Sequence, residues 1–225
     1  MRPECPYFRK ETTRDSDELT GNLTMERGLP HFAAGLSQVF AKFANALKPG
    51  RPFVFTYHHN DLNAYYPVAV AVLDAGLTCT ATIPCPAEMG ASIHINGTGS
   101  SVIDSVFVCR AAALASIGEQ PGTPEEVAEA VASDLAQLRQ AGLQVTEGDR
   151  RCISFGHIIG LVVRRLTGSW DKSLSIDDKL RRIAQMTDAS DVLKAIRTRN
   201  SDGWAVSGSP SSAGTGAELA GKKAG

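Results

Sequence analysis

From Pro30 onward the apolar residues fall at helical spacing. Phe32, Leu36, Val39, Phe40, Phe43 and Leu47 lie three or four apart, the repeat that gathers them on one side of a helix. Pro30 is tolerated in the first turn, where its missing N–H is not needed. The stripe is expected to lie on a sheet. Leu47-Lys48-Pro49-Gly50 then breaks the helix, because Pro49 cannot continue it and Gly50 accepts left-handed turn geometry. Arg51-Pro52-Phe53-Val54-Phe55-Thr56-Tyr57 follows as a run of strand formers. Phe53, Val54 and Phe55 show no alternation, which predicts a strand from Pro52 to Tyr57 covered on both faces, with Phe55 in the core. Polar residues from Thr56 to Asp61 crowd its end, and in open α/β sheets the carboxyl ends of strands are where ligands bind.

The rest of the chain alternates and then turns helical. Tyr65 to Gly76 reads as a helix with Val68, Val72 and Leu73 inward; it starts near Tyr66 with Pro67 in its first turn, or earlier with a kink there. A second strand, Leu77 to Ile83, is expected to stop at Pro84-Cys85-Pro86. A third spans Val102 to Cys109 and should run antiparallel to its neighbours, since a parallel return needs a crossover element. Ala87 to Ser101, with Gly90, Gly97 and Gly99, is expected to be a long loop or a wide hairpin tip between them, and long ordered loops are more often functional than merely connecting. Thr123-Pro124-Glu125-Glu126 is a capping box that opens a helix closed by Gly142. Further helices are expected over Asp149 to Leu166, Ser175 to Gln185 and Thr187 to Arg199, although the β-branched run after Cys152 also permits a strand at the start of the first. Residues 1–29 show neither period, and 201–225 are rich in Gly, Ser and Ala, a composition expected of a disordered tail. The organisation is therefore an irregular opening segment (1–29), an α/β domain (30–110), a helical extension (111–200) and the tail.

Composition changes this picture little. The 225 residues are 43% hydrophobic with a formal net charge of −1, enough apolar material for one sizeable core. Neither a membrane-length apolar run nor a signal-peptide core is evident, so a cytoplasmic location is expected. The cysteines Cys5, Cys79, Cys85, Cys109 and Cys152 are scattered with no C-x-x-C pair, which favours free, buried thiols over zinc or disulfides.

Lys48-Pro49-Gly50, the strand to Tyr57, the Ala75-Gly76-Leu77 turn and Ile103-Asp104-Ser105-Val106-Phe107-Val108-Cys109-Arg110 together resemble the carboxy-terminal third of a class I S-adenosylmethionine-dependent methyltransferase. More narrowly, Phe55-Thr56-Tyr57-His58-His59, Ala87-Glu88-Met89 and Asp104 to Arg110 resemble the adenine-specific DNA methylases that carry a zinc-ribbon-like region and an amino-terminal domain of unknown function. The likeness covers roughly Ser16 to Arg110. It implies an incomplete Rossmann-like sheet, comprising the last three strands with the final one antiparallel, and S-adenosylmethionine and DNA as cofactor and substrate. The family's glycine-rich cofactor turn and the acidic residue after its second strand are absent from this chain. The resemblance therefore implies a separate polypeptide, or an upstream region, carrying the cofactor-binding half. Its catalytic Asp-Pro-Pro-Tyr has Glu4-Cys5-Pro6-Tyr7-Phe8 as nearest match, which makes Tyr7 a candidate catalytic residue, with an accidental Pro-Tyr as the alternative.

His58 is the second catalytic candidate. It and His59 are adjacent, so on a strand they point to opposite faces, and one can line a cleft while the other packs. Glu88, Met89, His94 and Asn96 lie on the loop that should return over the same edge of the sheet, where Asn96 and His94 suit a base edge and Met89 its face. With His59 they form the candidate substrate-binding set. Tyr65 and Tyr66 read as core or rim aromatics. Metal ligation by His58, His59, His94 and Cys85 is possible by residue type alone, and no metal is expected. Asp149 to Arg199 holds eleven Lys and Arg against six Asp and Glu, which suits either a phosphate backbone or ordinary solvated helix faces. Two functions follow: a piece of a DNA adenine methyltransferase, inactive alone, or a non-enzymatic binding or scaffold module on the same framework.

Overall fold

The computed structural model describes residue 19 and residues 28–87, 101–115, 120–188 and 191–199. Tyr7, Glu88, Met89, His94, Asn96 and the 201–225 tail lie outside the described residues. The elements are α1 (Leu29–Ala46), β1 (Phe53–Tyr57), a 3-10 turn (Leu62–Tyr65), α2 (Tyr66–Asp74), β2 (Leu77–Pro86), β3 (Ile103–Ala111), α3 (Pro124–Gln140), α4 (Glu147–Thr167), α5 (Ile176–Asp188) and α6 (Val192–Arg199).

The three strands form one sheet in the order β1-β3-β2, with β3 antiparallel to both neighbours. The expected antiparallel last strand is thus present, and it lies in the middle of the sheet. Phe55 pairs with Phe107 and Tyr57 with Ser105 across β1 and β3, while Cys79 pairs with Cys109 and Pro86 with Ile103 across β2 and β3. β2 runs through both prolines that were expected to end it. Being an edge strand, it can lose the N–H of Pro84 and Pro86 on its unpaired side.

One face of this sheet carries the core. Ile103, Ser105, Phe107 and Cys109 are buried while the residues between them are only partly so. Along β1 the burial also alternates, and Val54 is 51% exposed. The expectation of a strand covered on both faces is therefore overturned, and Phe55 is half-buried rather than sealed in the core. An apolar run of three has no period of its own; which residues are buried depends on whether a second helical layer exists. α1 likewise only partly meets its expected role. Ala33 and Phe40 are buried, Phe40 with its ring 4.9 Å from both Phe53 and Phe55, but Phe43 and Val39 of the same stripe are 53% and 39% exposed.

The turn after α1 forms as read: Gly50 has φ +73° and its carbonyl accepts from the Arg110 guanidinium at 2.7 Å. α2 begins at Tyr66 with Pro67 in its first turn. α3 opens on the Thr123–Glu126 capping box, and Val127, Val131, Leu135 and Leu138 are buried. α4 is a helix from its start, which excludes the alternative strand. It opens on a second capping box, Thr146 with Asp149, two residues before the expected start. α5 continues to Asp188, so the helix expected from Thr187 begins instead at Val192.

The helices after β3 do not form a layer apart. Phe155, Ile158, Ile159 and Val162 of α4 share one hydrophobic cluster with Phe107, Cys109 and α2. Two glycines let α4 lie close to the strands. A Cβ on Gly156 would fall 2.5 Å from Ser105 Oγ and 2.9 Å from Ser105 Cβ, and one on Gly160 would fall 2.7 Å from Thr82 Oγ1. Gly156→Ala is therefore expected to cost about 1–3 kcal/mol through overpacking, despite the better helix propensity of alanine. Urea unfolding of the variant beside wild type checks this; equal stability would mean the helix can back away freely.

Candidate functional site at the carboxyl edge of the sheet

β1 delivers His58 to the edge where β3 begins and α4 starts. Its Nδ1 lies 3.0 Å from the Ile103 carbonyl oxygen, 3.5 Å from Asp104 Oδ1 and 3.8 Å from Cys152 Sγ. A carbonyl can only accept, so Nδ1 carries a proton in either charge state. Nε2 has no protein partner among the described residues, and the side chain is about one-third exposed. The arrangement fixes the ring through one nitrogen and leaves the other to exchange a proton or hydrogen bond with a bound molecule.

The surroundings favour the imidazolium. Hydrogen bonding to the Cys152 sulfur and the Ile103 carbonyl, with the negative charge of the Asp104 carboxylate nearby, pushes the His58 pKa up to about 9, against a burial effect that lowers it. A folded-state value raised above the usual 6.5 contributes stability that is whole below about pH 6.5 and is lost as pH rises through about 9. Wild-type unfolding free energy should accordingly decline across that window, and His58→Asn should flatten the decline. An NMR titration placing His58 near its usual value would contradict the assignment.

Cys152 lies beneath this histidine and is fully buried. Tyr65 Oη approaches its sulfur at 3.2 Å, and Ser105 Oγ donates to its carbonyl at 3.0 Å. Burial holds the Tyr65 phenol well above its usual pKa, so Tyr65 acts here as a neutral packing and hydrogen-bonding group. The Cys152, His58 and Asp104 set is no nucleophilic triad. Thiol and carboxylate approach the same ring nitrogen, so the imidazole cannot relay a proton between them, and no substrate reaches a sealed sulfur.

His59 lies apart from this group. Its Nδ1 accepts the Asp61 backbone N–H at 2.9 Å, and its own N–H donates to Tyr65 Oη at 3.4 Å. It shapes the turn after β1, and its exposed ring is the part left to meet a ligand. Of the loop candidates, only the two roots are described. Ala87 N–H donates to the Val102 carbonyl at 2.8 Å, and Val102 N–H donates to Asp149 Oδ1 at 2.8 Å. Val102 precedes Ile103, whose carbonyl holds His58, so both roots stand at the His58 edge, while Glu88, Met89, His94 and Asn96 lie outside the described residues. Asp104, Ser105, Cys152 and Asp149 were not singled out as site residues. The signal for Asp149 was its spacing from Thr146, a capping box; nothing local to Cys152 reveals that α4 crosses this edge.

Tyr65 and Tyr66 are buried, the core reading. Cys79, Cys109 and Cys152 are free and buried, whereas Cys85 is exposed. No cluster of metal-ligating side chains occurs among the described residues. Many of the basic residues beyond Asp149 are engaged within the protein: Arg164 and Arg165 donate to the Pro121 and Gly122 carbonyls, Lys179 pairs with Asp74 at 3.0 Å, and Arg181 pairs with Asp178. The turn from β1 to the next helix, His58 to Asp61, holds no glycine, and Asp61 Oδ1 caps it by accepting the Asn63 N–H at 3.0 Å. That turn gives S-adenosylmethionine none of the close backbone approach that a glycine permits.

These features define an α/β protein with a three-stranded antiparallel sheet and a histidine-bearing carboxyl edge. No helix among the described residues is long and apolar enough to cross a membrane. Comparison with family models, with curated proteins and with solved structures finds no match.

Proposed function

We propose that the chain supplies the substrate side of an S-adenosylmethionine-dependent DNA adenine methyltransferase, with the cofactor held by a separate polypeptide or by a region beyond this sequence. The observation that carries this reading is the carboxyl edge. His58 stands there with Nε2 open, beside the anchored roots of the 88–100 connection. The helix, Lys48-Pro49-Gly50 turn and strand, and the final antiparallel pair of β2 and β3, support it as features the family is expected to have. In the assembled enzyme His58, His59, Glu88, Met89, His94 and Asn96 border the DNA base, and Tyr7 is the remaining candidate for stacking on it.

The test has two arms. Calorimetric titration of the isolated chain with S-adenosylmethionine should show no micromolar binding, because the close backbone approach that a glycine turn permits is missing. In an active assembly with the partner half, His58→Ala and Asn96→Ala should lower methyl transfer to DNA by roughly 10²-fold while leaving thermal unfolding in place. Wild-type transfer by both variants would remove the edge from the substrate side. One observation favours the binding-module reading: Val54 and Ile83, on strands whose outer edges are unpaired among the described residues, are about half exposed. Methyl transfer by any assembly containing this chain decides against it.

A further inference from the structure

At the other end of the sheet from His58, two cysteines face each other across the strands. Cys79 of β2 and Cys109 of β3 are direct register partners, 1% and 0% exposed, and both are free thiols. Partners in an antiparallel pair stand about 4.5 or 5.5 Å apart at Cα, depending on whether they share backbone hydrogen bonds. Both values fall within the roughly 4.4–6.8 Å that a disulfide spans. Direct partners also project to one side, with Cβ atoms roughly 4.5–5.5 Å apart against the roughly 3.5–4.5 Å of a disulfide, so closing the bond draws the two strands slightly together.

We propose that Cys79 and Cys109 are a peroxide-responsive pair that closes into a disulfide stapling edge strand β2 to central strand β3. The surroundings divide the roles. The Cys79 thiol donates to the Ala81 carbonyl at 3.3 Å, and its sulfur lies 3.5 Å from Thr82 Oγ1. The Cys109 S–H, Thr82 and the Arg164 guanidinium hold the Cys79 thiol below its usual range, while hydrogen bonding to Cys79 and burial hold Cys109 well above it. Cys79, on the edge strand whose ladder is interrupted beside it, is the attacking sulfur once it has lost its proton, and Cys109, on the central strand, is the resolving thiol. The Cys79 sulfur attacks one peroxide oxygen; the S–O bond forms, the O–O bond breaks, and the leaving hydroxide takes a proton to become water. The Cys109 sulfur then displaces the sulfenic oxygen, which departs with the Cys109 proton as a second water. Two thiols are oxidised and one hydrogen peroxide is reduced.

Access comes from the position on the sheet. β2 is an edge strand, and its ladder with β3 is interrupted between Cys79 and Ala81, where Thr80 is the extra residue. Such an interruption at an edge is where local opening is easiest. The bond closes the end of the β2–β3 ladder opposite the roots of the 88–100 connection, and so holds the edge strand to the sheet at its start. The proposal stands independently of the methyltransferase reading.

The test uses the full chain, reduced and then treated with stoichiometric hydrogen peroxide, unfolded in alkylating agent and mapped without reduction. A linked peptide joining Cys79 to Cys109 is expected, with Cys5, Cys85 and Cys152 still alkylated. Cys109→Ser should stop at a sulfenic acid on Cys79 that dimedone traps, and Cys79→Ser should slow thiol loss at Cys109 at least tenfold. Full alkylation of both cysteines after treatment would overturn the proposal, as would a link made instead through Cys5, Cys85 or Cys152. The wild-type map alone decides between these outcomes, so a variant that folds poorly does not protect the idea.

Discussion

Asp149→Ala is expected to destabilise the protein by on the order of 3 kcal/mol, because it leaves the Val102 N–H, the Thr146 N–H and the Thr146 hydroxyl without their acceptor and the Ser101 hydroxyl with only the Ile103 carbonyl at 3.1 Å. Oδ1 accepts from Ser101 Oγ and the Val102 N–H, both at 2.8 Å; Oδ2 accepts from the Thr146 N–H at 2.8 Å and Thr146 Oγ1 at 2.7 Å. The carboxylate is 1% exposed, so water cannot replace the bonds to Ser101 and Val102 without opening the edge, whereas the exposed Thr146 turns to solvent. One carboxylate thereby caps α4 and pins the chain entering β3, the two elements that hold Cys152 and Ile103 against His58. Asp149→Asn should cost less, since one oxygen keeps its donors while the new amide opposes the other two. Denaturant unfolding gives the energies, and amide exchange at Val102 should quicken in both variants. A loss below 1 kcal/mol for the alanine variant would show the network to be dispensable.

Phe107→Ala should cost about 3–5 kcal/mol, the range for emptying a sealed aromatic site. Phe107 is 1% exposed on the central strand, with its ring stacked 5.2 Å from Phe55 and tilted 6.5 Å from Tyr65. It fills the space between β1, α2 and α4, none of which can collapse inward without dragging the others. Phe55→Ala should cost less, because that ring is only half-buried and rests on Phe40 and Phe53 at the edge. The order of the two variants in urea midpoint is the measurement; a larger loss at Phe55 would place the core nearer α1 than the packing indicates.

If both substitutions behave so, the His58 edge is rigid by construction. It stands on a buried carboxylate on one side and a packed aromatic strand on the other. A ligand would then meet an imidazole already oriented, with no ordering cost for the ring.

The sequence alone determined the elements whose signals are local. Pro49 and Gly50 ended α1 whatever lay around them, Thr123-Pro124-Glu125-Glu126 opened α3, and Gly76 closed α2 with φ +72°. These depend on backbone geometry and on hydrogen bonds within four residues. The sequence also placed His58 at a strand end and made β3 antiparallel, because no crossover element precedes it. Tertiary structure decided the rest. Whether Val54 faces a helix or open space depends on a layer of helices that no local pattern encodes, and β2 could run through Pro84 and Pro86 only because it became an edge. The partners of His58 lie 45 to 94 residues away, brought together by the docking of α4 on β3 through Gly156. Contacts made over such separations carry no period in the chain, so Cys152, Asp104 and the facing pair Cys79 and Cys109 could be recognised only once the sheet and its covering helix were assembled.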